Sequence, residues 1–345
     1  MRAEITDVME GTMRKIFVLA LLSPAWLMAA STGYHATGEI KIGGEGGWDY
    51  ATVDGAARRL YVSHATHVAV VDLDKGTVVG DIPDTPGVHG IAIAPELNRG
   101  FISNGRSNNV TIFDLKTLKA IGQVPTGENP DGIRYDPVSG RVFAFNGRSK
   151  NATAIDAKTG MVIATIALPG KPEFPVADGK GKVYVNIEDT SEIVEIDAGR
   201  AAVNKKYSLM PCDGPSGLAI DTKNRRLFSV CSNRLMAVSD PDAGKVLATP
   251  AIGAGSDGAA FDPGTGYAFS SNGDGTLTVV GQNGGQNGGK WDVLENIATE
   301  RGARTMALDE KTHKLYLPTA KTAPSQGSAR PTFLPDTFKV LVVGT

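Results

Sequence analysis

A four-residue motif opened by an aromatic side chain returns seven times along this chain: YVSH (61–64), FISN (101–104), FAFN (143–146), YVNI (184–187), FSVC (228–231), YAFS (267–270) and YLPT (316–319). The copies stand about forty residues apart until the last, which follows the glycine-rich segment GQNGGQNGG (281–289). A period of that size marks a solenoid, a propeller or another repeat array, because each unit is one supersecondary element that must stack on its neighbours to bury its apolar side. Within each unit apolar and polar residues alternate with a period of two, so the elements are strands. An apolar run ends at an acidic turn, as in GIRYDPVSGR (132–141) and GLAIDTKNRR (217–226). Asp54, Asp136, Asp178, Asp221, Asp262 and Asp309 sit at this turn, where a short carboxylate can satisfy exposed backbone donors. The motif forms the second strand, a segment such as HVAVVDL (67–73) or NVTIFDL (109–115) the third, and a returning run such as GMVIATIALPG (160–170) the fourth.

Four strands per unit make a propeller blade, so the expected fold is all-β, a seven-bladed β-propeller. The seventh unit supplies only three strands before the chain ends, and one unassigned strand, HATGEIKIGG (35–44), precedes the first. That leading strand is expected to complete the last blade and remove the open edge. The 42 glycines suit the many tight turns such a fold needs. With 35 basic and 37 acidic residues, the net charge of -2 gives no global drive toward nucleic acid or an anionic membrane. Residues 1–31 read as a secretory signal, with 32–345 as the propeller domain: Arg14 and Lys15, an apolar run over 16–22, then Ala29, Ala30 and Ser31. The acidic stretch before Met13 makes that methionine a candidate start. The apolar run is too short to span a bilayer, and no later segment offers a span, so a secreted or periplasmic monomer is expected.

The seven motifs are variants of the YVTN propeller repeat, and residues 35–345 resemble the YncE-like periplasmic proteins that carry it. The WD and Gly-His signatures of WD40 blades are missing. Proteins of this kind serve as surface-layer modules, as a single-stranded DNA binder, and as relatives of subunits in amine dehydrogenases and nitrous oxide reductase. The resemblance therefore implies the fold and a binding or scaffolding role, for a partner protein or a small ligand, without naming either.

Loops that enter the first strands and leave the second strands share one face, opposite the acidic turns. Asp49, His89, Asp131, Glu173, Ser216, Asp257 and Arg304 open the first strands and are expected to ring one mouth of the central channel, as a ligand site or a solvated polar funnel. His64 and His67 leave the first blade on the same face, so with His89 and Asp49 they form a candidate site for zinc, copper or iron. The tetrapeptide NGRS occurs twice and sets Arg106 and Arg148 on neighbouring blades, with Lys150, Lys171, Arg234, Arg304 and Lys321 nearby, a candidate grip for an anionic ligand or simply inherited turn chemistry. Nucleic-acid stacking would fall to Trp48, Tyr50 and Phe174. Cys212 and Cys231 lie on one face of the fifth blade, where secretion makes a disulfide the expectation and free buried thiols the alternative. No haem-attachment, nucleophile-elbow, phosphate-loop or zinc-helix motif supports catalysis. By analogy with calcium-dependent lactonase propellers, Glu173, Asn146, Asn186 and Asp257 are the set that a divalent-metal hydrolase would use.

Overall fold

A computed structural model of the chain describes Met1 and residues 31–283, 289–323 and 332–345. The expected signal segment falls outside the described residues, as do 284–288 of the glycine-rich insertion, which joins the third and fourth strands of blade six. Among the described residues, no helix is long and apolar enough to cross a membrane.

Seven antiparallel sheets of four strands each follow one another along residues 31–345. Blade one contains Ala51–Asp54, Arg59–His64, His67–Asp72 and Thr77–Ile82, running from channel to rim. The burial gradient follows this order. The second strand is almost wholly buried and the third nearly so, whereas Val78 and Val79 of the fourth are exposed. Middle strands are covered on both faces by the neighbouring blades, and this is why β-branched and aromatic residues dominate them. The aromatic that opens each motif is the main wedge: Tyr61, Phe101, Phe143, Tyr184 and Phe228 are fully buried. Burying each is worth about 1.5–3 kcal/mol.

In blade six the register differs from the expectation. Phe269, not Tyr267, pairs with Ala260 as Phe143 pairs with Arg134, so the repeating motif is FSSN (269–272). Tyr267 instead pairs with the turn residue Asp262, as Arg141 pairs with Asp136, and an aromatic at that site imitates the motif two residues early.

The acidic turns perform as expected. Asp54 accepts from the backbone N–H of Ala56 and Ala57, and Asp221 from those of Lys223 and Asn224. They also tie blade to blade. Four positions after the turn residue, Arg58, Arg225 and His313 adopt left-handed backbone angles and reach the turn carboxylate of the preceding blade. The contacts are Arg58–Asp309 at 2.6 Å, Arg225–Asp178 at 2.9 Å and His313–Asp262 at 2.8 Å.

The ring closes through its first strand. His35–Lys41 pairs antiparallel with Lys339–Gly344, giving the last blade three C-terminal strands and one N-terminal strand. Lys339, lying between Glu39 at 2.6 Å and Glu300 at 2.7 Å, fastens this seam.

Candidate functional site

Each blade contributes one residue to the channel mouth, five positions ahead of its turn residue: Asp49, His89, Asp131, Glu173, Ser216, Asp257 and Arg304. The next position along supplies the floor. In four blades it is glycine, because the strand there presses on the backbone of the following blade: a Cβ on Gly132 would lie 2.5 Å from the Glu173 carbonyl oxygen, and one on Gly217 2.6 Å from that of Asp257. Blades one and four carry Tyr50 and Phe174 instead. These two rings reach across the channel from opposite blades and meet edge to face, 4.8 Å between centroids, forming a waist.

Above the waist the groups interact in pairs. His89 Nδ1 lies 2.6 Å from Asp49 Oδ2 and 3.7 Å from Asp131 Oδ1. Lys171 lies 2.6 Å from Glu173 and also contacts Glu188, while Arg304 Nε lies 3.2 Å from Asp257. Five carboxylates thus face one imidazole, one ammonium and one guanidinium. Negative charge is in surplus where water is scarce, and the proton affinities respond. Burial raises Asp131 to about 6 and the Asp49 charge adds to this, against the pull of His89. Burial and the Asp131 charge raise Glu173 to about 8 despite Lys171. Asp257 is lifted to about 7 by burial, with Arg304 opposing and Asp49 and Asp131 adding. Burial alone would lower His89, but its bond to Asp49 and the charges of Asp131, Asp49 and Glu173 bring it up to about 9. Tyr50, buried under these carboxylates, is pushed well above the phenol range and stays neutral.

The histidines do not converge as expected. His64 occupies the last motif position of blade one, fully buried, with its ring stacked on Phe338 at 4.3 Å and edge to face with His67 at 4.7 Å. His67 turns to Asp81 at 3.6 Å, and His89 belongs to the channel. His64 and His67 therefore meet each other, but a strand's end and its innermost position share a face without sharing a radius, and this separates His89 from both. Among the described residues, the group with metal-ligand spacing is Asp49, His89 and Asp131, whose ligand atoms lie within 4.8 Å of one another. Spacing ahead of the turn residue was the signal that could have found it.

Arg106 and Arg148 are exposed on the mouth face and make no ion pair among the described residues. The asparagines of their NGRS turns are structural: Asn104 donates to Asn109 and Thr111, and Asn146 to Asn151 and Thr153. Asn186 is likewise spent, donating to the Ser216 and Gly217 carbonyls and accepting from Ser229. A hydrolase built on Asn146 and Asn186 is therefore left with Glu173 and Asp257. The stacking platforms are committed too, since Trp48 packs on Phe333 and Phe338 while Tyr50 and Phe174 hold each other. Cys212 and Cys231 form the expected disulfide, Cα atoms 5.7 Å apart, beside the mouth.

No family model matches the chain, and no curated protein matches it. Among solved structures, hydrazine synthase of Kuenenia stuttgartiensis aligns over 79% of this chain and 92% of its own with a TM-score of 0.68 at 15% identity. That likeness is one of fold.

Proposed function

We propose that the chain is a secreted, periplasmic binding propeller of the YVTN-repeat kind, which receives a cationic group of a partner protein in the mouth above the Tyr50–Phe174 waist. The motifs and the N-terminal sequence support the family and the location. One observation carries the ligand chemistry: carboxylates from Asp49, Asp131, Glu173 and Asp257 converge on a buried floor with too few cations, so Asp131, Glu173 and Asp257 retain protons toward neutrality. An incoming ammonium or guanidinium would discharge those protons and supply the missing charge. A small anion would meet this surplus, while unpaired cations such as Arg106, Arg148 and Arg234 stand exposed among the described residues.

Calorimetric titration with tetralysine and tetraglutamate tests the reading. Tetralysine is expected to bind, less tightly as salt rises, and at least tenfold more weakly to the Asp131→Asn, Glu173→Gln double variant. Preference for tetraglutamate, with loss of binding in Arg106→Gln, Arg148→Gln, would transfer the site to the rim and restore the anionic reading. A second reading, a divalent cation held by Asp49, His89 and Asp131, rests on their ligand spacing. Calcium, zinc and manganese titrated into chelator-treated protein would reveal it as binding lost in Asp49→Asn.

A further inference from the structure

Below the waist the channel opens into a cavity of about 260 Å³ on the face of the acidic turns. Two positions ahead of each turn residue, six blades place Thr52, Ala92, Val176, Ala219, Ala260 and Ala307, all short side chains. Blade three places Arg134. The small residues leave the room that the arginine occupies, and Phe174, Leu218 and Met306 add to the apolar wall. An adjoining hollow of about 430 Å³ is also lined by Arg134. The guanidinium makes no hydrogen bond or ion pair with any described residue. The opposing charge that it feels is that of Glu310, which lines the same cavity without forming a salt bridge to it. Burial works against the charged form of Arg134, yet a guanidinium does not give up its proton in a protein. Arg134 is half-buried, so water partly shields its charge, and an anion entering the cavity would meet a guanidinium with no partner among the described residues.

We infer that this lower cavity is a second binding site, which takes a small organic carboxylate: its two oxygens meet the Arg134 fork and its apolar body lies along the alanine-lined wall. The five donors of arginine match a carboxylate in the bidentate manner that a lysine could not. The Tyr50–Phe174 contact stands between this cavity and the acidic mouth, so the ligand would enter from the face of the acidic turns, and the proposal does not depend on what the mouth binds.

Calorimetry with phenylacetate and hexanoate, set against phenylacetamide and acetate, tests it. Phenylacetate and hexanoate are expected to bind one to one, with phenylacetamide at least tenfold weaker for want of charge and acetate at least tenfold weaker for want of an apolar body. Arg134→Met should lose binding at least tenfold while its melting temperature stays within a few degrees of the parent's, because the half-buried guanidinium makes no hydrogen bond or ion pair among the described residues. Arg134→Thr, the blade-one residue at this position, repeats the comparison should the methionine variant fold poorly. Equal binding of phenylacetate and phenylacetamide, undiminished binding in both variants, or no binding of either carboxylate would overturn the site.

Discussion

In blade one His64 stands where Asn104, Asn146 and Asn272 stand in three other blades. Each asparagine donates two hydrogen bonds to the following strand, whereas both ring nitrogens of His64 are buried without a hydrogen-bond partner among the described residues. Burial, with the neighbouring His67, lowers its pKa from 6.5 to about 4. An unfolded chain takes up this proton at a higher pH than the folded one. His64 therefore contributes stability that is complete above pH 6.5 and is lost as pH falls toward 4, roughly 3 kcal/mol in all. The mouth works in the opposite sense. His89 is raised to about 9 and Asp257 to about 7, so the folded state holds protons that the unfolded chain releases, and stability declines as pH rises from about 4 to 9. Asp131 and Glu173, raised in the same way, add to this decline and outweigh His64 between about pH 4.5 and 6.5, so thermal melts should show stability falling from the acid side up to pH 9. His64→Phe should steepen this decline below about pH 6.5 and Asp257→Asn should make it shallower; slopes unchanged in these variants would remove His64 and the mouth as the cause.

At the scale of the strand, the glycines beside the mouth set how closely blades approach. Gly217→Ala would drive its Cβ to 2.6 Å from the Asp257 carbonyl oxygen and 2.8 Å from the Ala259 nitrogen. It should cost about 1–3 kcal/mol, measured by denaturant unfolding, as backbone shifts to relieve the overlap. Much of this level was legible in the sequence. The motif aromatics named the wedge of each blade, and the turn aspartates named the hairpins, because both roles repeat and repetition is visible. Blade six shows where that failed: Tyr267 looks like the motif aromatic, and only the distance from Asp262 identifies Phe269 as the residue that packs. Arg134 was missed for a related reason. It sits inside an apolar run as if solvent-facing, and its position carries meaning only once the six short residues at the same place in other blades are aligned with it.

For the whole molecule, closure was predictable by counting strands, since three at one end and one at the other must meet. Removing residues 35–41 should expose the Lys339–Gly344 edge, lower the melting temperature and promote association through that edge, read by light scattering. Retained stability and a monodisperse solution would show that the seam contributes little. Radial position was less legible, because a loop's face follows from strand order alone while its distance from the axis does not, and His64 and His89 were separated by that coordinate.

The meeting of Tyr50 with Phe174 makes this wheel two back-to-back vessels with a shared stopper. With these rings between the two, saturating the acidic bowl should leave the arginine bowl's affinity as it was, and heats of filling both should simply add. Shrinking the stopper, as in Tyr50→Ala, would merge them into a single bore in which Arg134 faces four carboxylates along an open axis.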